Sequence, residues 1–317
     1  MKIVVIDDVL MNQEQIELLK GMGELNICSG VPANEEEILK RAENADIIIN
    51  GWTNFSKDVL GKLPNLKMIS LWATGYDHVD IAAAHKRGIT VTNIPGYAKN
   101  AVAELAVSLM LAVMRKVPQA DRDVRESKAY HWGLFQGMEL SNKTLGVLGT
   151  GVIGCRVIEI ASGFNMKIIA YDPKPKDQII KKYNVRYVSC DEIFLESDVV
   201  SVHMPLLPST KHLITTKNFN QMKKNGIFIN TARADLINQD DLYQTLKNKN
   251  IFGAGLDDID LTIQSGIDLL KLDNVVVTPH MGFNTREAIV TKTNICIDNI
   301  QNYLNGKSSN EVYVDFK

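Results

Sequence analysis

Thr144-Leu145-Gly146-Val147-Leu148, followed at once by Gly149-Thr150-Gly151-Val152-Ile153-Gly154, is the stretch whose reading decides the fold. The first half has the apolar run of a buried strand, and the second is a glycine turn in the spacing G-x-G-x-x-G. An apolar helical stretch, Val157-Ile158-Glu159-Ile160-Ala161, comes next. A second strand, Lys167-Ile168-Ile169-Ala170-Tyr171, then ends in Asp172, 18 residues beyond Gly154. A bare glycine turn is common in α/β proteins; the order strand, turn, helix, strand, acid is what points to a dinucleotide. The glycines permit a tight turn and bring a pyrophosphate close to a helix N-terminus, where free N–H groups favour negative charge. Asp172 is placed to accept from the ribose hydroxyls, and its charge repels a 2′-phosphate, so NAD is expected over NADP despite Lys174 and Lys176 nearby.

Outward from this motif, strand-like runs recur on both sides. Before it they lie at residues 3–6, 25–28, 47–49, 68–71 and 90–92, separated by helical runs such as 13–20 and 35–42. After Asp172 they recur at 199–202, 227–230, 253–256 and 275–278. Strands alternating with helices imply parallel, wound sheets, and ligands in such sheets sit at the carboxyl ends of the strands. The strongest helix lies between the two groups, with Asn100 as its expected N-cap and an apolar stripe of Val102, Leu105, Ala106, Leu109, Met110 and Val113. A last helix, about 286–304 with Thr285 as N-cap, has no strand partner left in the second sheet and is expected to return to the first. The expected organisation is α/β with two wound parallel-sheet domains. Residues 1–98 and 286–317 form a discontinuous first domain, and residues 99–285 form an inserted second one.

Composition narrows the classes of function. The 317 residues are enough for about two domains, and 45% hydrophobic with 23% charged residues is an ordinary globular balance. Lys+Arg 35 against Asp+Glu 37 leaves a net charge of −2, so no basic excess points to nucleic acid or an anionic membrane. Cys28, Cys155, Cys190 and Cys296 show no paired spacing, which fits a reduced, cytoplasmic setting. The N-terminus reads as a strand reaching Asp7-Asp8, not as a targeting segment. The longest apolar stretch, 101–114, is interrupted by Glu104 and is too short for a membrane span. His78, His85, His131 and His212 show no metal spacing, and no metal site is expected.

Several further motifs match one family. Ala73-Thr74-Gly75-Tyr76-Asp77, Thr92-Asn93-Ile94-Pro95-Gly96, the stretch 101–106, the glycine motif, His203-Met204-Pro205-Leu206, Asn230-Thr231-Ala232-Arg233 and Thr278-Pro279-His280 follow one another almost end to end. On these the chain resembles the D-isomer-specific 2-hydroxyacid dehydrogenases, most closely the glycerate dehydrogenase (hydroxypyruvate reductase) members. The resemblance implies a Rossmann NAD-binding domain inserted into a flavodoxin-like substrate domain, and an NADH-dependent reduction of a small 2-oxo acid to its D-2-hydroxy acid.

By the same resemblance Arg233 holds the substrate's carboxylate and carbonyl oxygen, and His280 gives the proton to the developing alkoxide. The backbone around Thr74 and Gly75 takes the carboxylate, and Trp52 and Thr53 lie on the substrate side, although Trp52 reads equally well as core. Beside the glycine motif and Asp172, the residues His203, Pro205, Thr210, Thr231, Ala232, Arg233, Asp257 and His280 would line the cofactor, with Asp257 positioning the carboxamide. His203 reads as packing more than chemistry. A homodimer is implied through the helix from Asn100 and the segment 122–137 with Tyr130, His131 and Trp132.

One position departs from the family pattern. Members place a glutamate five residues beyond the aspartate that is here Asp257, where it hydrogen-bonds the histidine; this chain has Thr262. Asp258, Asp260 or Thr262 itself are candidates to fill the vacancy, but the expectation is that His280 lacks a carboxylate partner and that reduction is favoured at acidic pH. Thr262 also motivates an alternative, an NAD(H)-sensing protein with vestigial turnover; a formate- or phosphite-type dehydrogenase is a third reading.

Overall fold

The computed structural model describes residues 1–313; the last four residues of the expected segment 286–317 lie outside it. The chain divides into two units, Met1–Tyr97 with Thr285–Lys317, and Ala98–Asn284.

In the first unit five strands, β1 (Lys2–Val5), β2 (Glu24–Ile27), β3 (Ile47–Asn50), β4 (Met68–Leu71) and β5 (Thr90–Thr92), form one sheet in the order β2-β1-β3-β4-β5. Every pairing is parallel. The order is that of the flavodoxin-like doubly wound fold. Alternate residues serve opposite faces. Val4, Ile48, Ile69 and Val91 pack into one core, while Ile3, Ile47, Ile49 and Met68 pack against Cys296, Ile297 and Ile300 of the helix Arg286–Leu304. Burial on both faces is why these strands read as continuous apolar runs rather than alternating ones. Thr285 caps that helix as expected, its side chain accepting from the Ala288 N–H.

The second unit holds β6 (Thr144–Leu148), β7 (Lys167–Tyr171), β8 (Arg186–Tyr187), β9 (Val199–Val202), β10 (Ile227–Asn230), β11 (Gly253–Leu256) and β12 (Val275–Val277). They pair in the order β12-β11-β10-β9-β6-β7-β8, again parallel throughout. The order reverses between β6 and β9, which makes this the dinucleotide-binding arrangement with its switch point at those two strands. The short β8 is not announced by any apolar run in the sequence.

The helix Lys99–Met114 corrects one expectation. Asn100 lies inside its first turn, not at the cap: Ala98 occupies that position without a side-chain bond, and its carbonyl already accepts from the Val102 N–H at 2.9 Å. The stripe is also broader than a one-sided pattern, since Ala101, Ala103 and Val107 are buried beside Ala106, Leu109, Met110 and Val113. The helix seats on β11 through two glycines. A Cβ on Gly253 would meet Val113 Cγ1 at 2.9 Å, and one on Gly255 would meet Leu109 Cβ at 2.8 Å and Ile229 Cδ1 at 2.9 Å. Neither site needs an unusual backbone angle, so close approach alone explains the glycines. Gly255→Ala is expected to cost about 1–3 kcal/mol by overpacking. A urea midpoint equal to that of the parent would contradict this seating.

Candidate active site

In the second unit the glycine motif carries out three separate tasks. Gly149 has φ +93°, and a Cβ there would lie 2.8 Å from the His203 carbonyl oxygen, so the loops after β6 and β9 touch at the switch point. Gly154 would bring a Cβ to 2.0 Å from the Gly149 oxygen, which locks the helix Val152–Ser162 onto its own turn. Around Gly151, at the cap of that helix, there is open space and no side-chain cap bond. That is where a pyrophosphate would meet the N-terminal N–H groups, with Val152 exposed and Ile153 packed into the core beneath.

Asp172, just past β7, braces this turn. Its carboxylate accepts from the Thr150 N–H at 2.7 Å and the Lys174 N–H at 2.8 Å. Partial burial pushes its pKa up, but these bonds and the Lys176 charge outweigh that and hold it below the ordinary carboxylate range. It stays ionised, with lone pairs left for ribose hydroxyls. Tyr187 on β8 completes the brace, donating to Thr150 Oγ1 at 2.9 Å and accepting from the Lys176 N–H at 3.1 Å. No spacing in the sequence signals this tyrosine.

Other expected residues follow strand ends of the same sheet. After β9, His203 shares a 2.8 Å bond with Ser201 Oγ, and burial pulls its pKa down to about 4, so the ring is neutral at ordinary pH and suited to packing. Thr210 ties the same loop, donating to the Pro205 carbonyl and accepting from the Leu207 N–H, each at 2.8 Å. After β10, Asn230 accepts from the Ala232 N–H and donates to the Arg233 carbonyl, setting the turn that carries Arg233. Among the described residues the buried Thr231 hydroxyl has no protein partner, a polar atom suited to a cofactor group.

After β11 two adjacent carboxylates divide the work. Asp257 is buried and accepts from Thr278 Oγ1 (2.6 Å), the Met281 N–H (2.9 Å) and the Gly282 N–H (2.8 Å), so it grips both sides of the loop that carries His280. His280 has φ +52°, a left-handed backbone, and a partly exposed ring. Asp258 turns the other way. One oxygen accepts from the Ala234 N–H at 2.9 Å, and the other lies 3.4 Å from His280 Nδ1. Burial pushes the Asp258 carboxyl up, but the bonds from His280 and Ala234 and the nearby charges of His280 and Arg233 prevail and hold it below the ordinary range.

This overturns the expectation that His280 has no carboxylate partner. Asp258 reaches the ring because it leaves β11 on the side facing Ala234 and His280. Asp260 and Thr262 are occupied with each other, the Thr262 N–H and hydroxyl both donating to Asp260 Oδ1 at 2.8 and 2.6 Å.

The expected substrate residues of the first unit sit past β3 and β4. The Asp7 carboxylate, buried beyond β1, accepts from the N–H groups of Gly51, Trp52 and Thr53 and from the Thr53 hydroxyl, all within 2.9 Å. Thr53 is therefore buried with its hydroxyl engaged, while Trp52 is 45% exposed and is not core. Thr74 donates its hydroxyl to the Ile94 carbonyl at 2.6 Å. Among the described residues the Thr74 and Gly75 N–H groups have no acceptor in the protein, which suits a carboxylate.

The NAD binding domain of the D-isomer specific 2-hydroxyacid dehydrogenases matches residues 107–282. Over 313 residues the chain is 36% identical to D-3-phosphoglycerate dehydrogenase of Methanocaldococcus jannaschii, covering 98% of this chain but only 59% of that longer protein. It is 38% identical over 283 residues to hydroxypyruvate reductase of Thermotoga maritima, covering 88% of this chain and 90% of the relative. A solved acyclic imino acid reductase in complex with NADPH and D-Arg superposes with a TM-score of 0.91 at 34% identity, over 99% of this chain and all of that one. With the sheet order, the glycine turn and the strand-end residues in place, the chain belongs to the D-isomer specific 2-hydroxyacid dehydrogenase family and is an NAD-dependent oxidoreductase.

Proposed function

We propose that the protein reduces a small 2-oxo acid of the hydroxypyruvate or glyoxylate type to its D-2-hydroxy acid, with NADH preferred over NADPH. The observation that carries this reading is the Arg233, Asp258 and His280 cluster at the ends of neighbouring strands, with the imidazole partly exposed and its Nδ1 facing a carboxylate. The second unit serves as the cofactor domain and the first as the substrate domain. In the second, Gly149, Gly151, Gly154 and Asp172 hold the dinucleotide, and Thr231 supplies a hydroxyl. When bound, NADH supplies the hydride that reaches the carbonyl carbon.

The side chains do the rest. Arg233 presents its planar fork to the carboxylate and carbonyl oxygen, polarising the carbonyl. Asp258 engages Nδ1 and orients the ring, leaving Nε2 to deliver a proton to the oxygen as it becomes an alkoxide. Asp257 fixes the loop and, through its remaining lone pair, positions the carboxamide. Thr74 and Gly75 offer their N–H groups to the substrate carboxylate, with Trp52 beside them on the next loop. The sensor reading loses its motive, because the position left by Thr262 is served by Asp258.

We further infer a homodimer and a reducing cytoplasmic setting. Tyr130 and Trp132 are 87% and 86% exposed just past the helix Val117–Ser127, an apolar surface that a second copy would cover. All four cysteines are free. Among the described residues no helix is long and apolar enough to cross a membrane.

NADH oxidation measured over glyoxylate, hydroxypyruvate, pyruvate and a 2-oxo acid with added amine, and NAD reduction with formate and phosphite, tests the reaction. Binding of NADH without turnover on any of them would sink it. His280→Asn, which tolerates the same left-handed backbone, is expected to lower kcat/KM for reduction by about 10²–10⁴. For Asp258→Asn the expected loss in kcat/KM is about tenfold; an unchanged kcat/KM would remove Asp258 from the mechanism. Stability has its own pH dependence. A carboxyl held below its ordinary range contributes fully above pH about 4 and loses that contribution as pH falls through the lowered value, so Asp258→Asn should cost stability at neutral pH and progressively less in acid. For Asp172→Ala the expectation is a drop in NADH affinity of about tenfold or more and a narrower preference over NADPH, read by cofactor titration. Sedimentation should find a dimer at micromolar concentration and a monomer for Trp132→Glu.

A further inference from the structure

Tyr187 lies on β8, a strand of two residues that pairs it with Ala170 of β7. Its ring packs against the core of the second unit, a role that a phenylalanine would fill equally well. The hydroxyl does more. It donates to Thr150 Oγ1 at 2.9 Å and accepts from the Lys176 N–H at 3.1 Å, so one side chain joins the glycine turn to the loop past β7.

That loop is fastened along its length. Asp172 accepts from the Thr150 N–H and is bonded by the Thr150 hydroxyl as well. Its other oxygen takes the Lys174 N–H at 2.8 Å, and two residues further on the Lys176 N–H meets Tyr187. Thr150 is fully buried and its carbonyl accepts from the Cys155 thiol at 3.1 Å, so it is a fixed anchor for both Asp172 and Tyr187. With its backbone held there, Lys176 folds back over the helix Val152–Ser162, and its ammonium lies 3.7 Å from Cys155 Sγ.

The direction of that lysine decides the charge a cofactor meets. Asp172 suits ribose hydroxyls and repels a 2′-phosphate, whereas an ammonium beside the same ribose would attract the phosphate and offset the repulsion. Lys176 is four residues beyond Asp172, and its flexible stem brings the charge within reach once the backbone is released. We propose that Tyr187 is a positioning residue for cofactor choice: its hydroxyl pins the Lys176 backbone and keeps the ammonium turned to Cys155, so that Asp172 alone faces the adenosine ribose and NADH is selected over NADPH. This inference rests on the glycine turn and Asp172 as the adenosine end of the cofactor site. Every group involved belongs to the second unit.

Calorimetric titration of ADP-ribose and 2′-phospho-ADP-ribose into the parent, Tyr187→Phe and doubly substituted Tyr187→Phe, Lys176→Gln proteins tests this without turnover. The parent should favour ADP-ribose. In Tyr187→Phe the ratio of the two dissociation constants is expected to move about fivefold or more toward the phosphorylated ligand, and adding Lys176→Gln should abolish that gain. An unchanged ratio in Tyr187→Phe, even with both ligands weakened, would show that the hydroxyl only supports the fold; the inference would be overturned and the cofactor reading would stand. A gain that persists in the double variant would remove Lys176 from the argument and overturn it as well. Should Tyr187→Phe fail to fold, Thr150→Val removes the other end of the tie, and the same shift, or its absence, decides. A parent that binds neither ligand would overturn the cofactor site itself, and this inference with it.

Discussion

One device recurs at the working edge of both sheets: a carboxylate just past one strand accepts N–H groups from the loop past the neighbouring strand. Asp7 beyond β1 holds the loop after β3, Asp172 beyond β7 holds the turn after β6, and Asp257 beyond β11 holds the loop after β12. Parallel sheets covered on both faces leave their polar groups this one edge, and irregular backbone there has donors that must be satisfied. An ionised carboxylate takes two or three of them at once, through bonds stronger than neutral ones. The loops that carry Trp52, Thr150 and His280 are therefore held by acids that need not touch a substrate.

The same economy explains the acid–histidine pair. β11 ends in two consecutive carboxylates that point to opposite sides, Asp257 into the loop and Asp258 toward Ala234 and the ring. The backbone and the ring of His280 are thus both held from one strand end. That strand is in turn seated by Gly253 and Gly255 against the helix Lys99–Met114.

Much of this was legible in the sequence, and the limits follow from what periodicity records. Strands buried on both faces announce themselves as apolar runs, so β1, β3, β4, β6, β7, β9 and β10 were plain. The glycine turn and Asp172 stood out because each has a fixed spacing from the others. Arg233 and His280 came into view through resemblance, since a lone arginine or histidine carries no spacing signal. Asp258 was only one of three candidates because the direction of a side chain leaving a strand end depends on the local turn, which no pattern encodes. Tyr187 sits on a two-residue strand, too short to have a period.

The left-handed backbone at His280 limits what evolution or engineering can place there. Asparagine, aspartate and glycine are comfortable in that conformation; valine, isoleucine and threonine are not. A bulky or branched side chain at this position would first require Asp257 to release the loop and the turn to be rebuilt. In this scaffold position 280 is therefore harder to exchange than the loops past β3 and β4, where no described residue other than glycine takes a left-handed backbone.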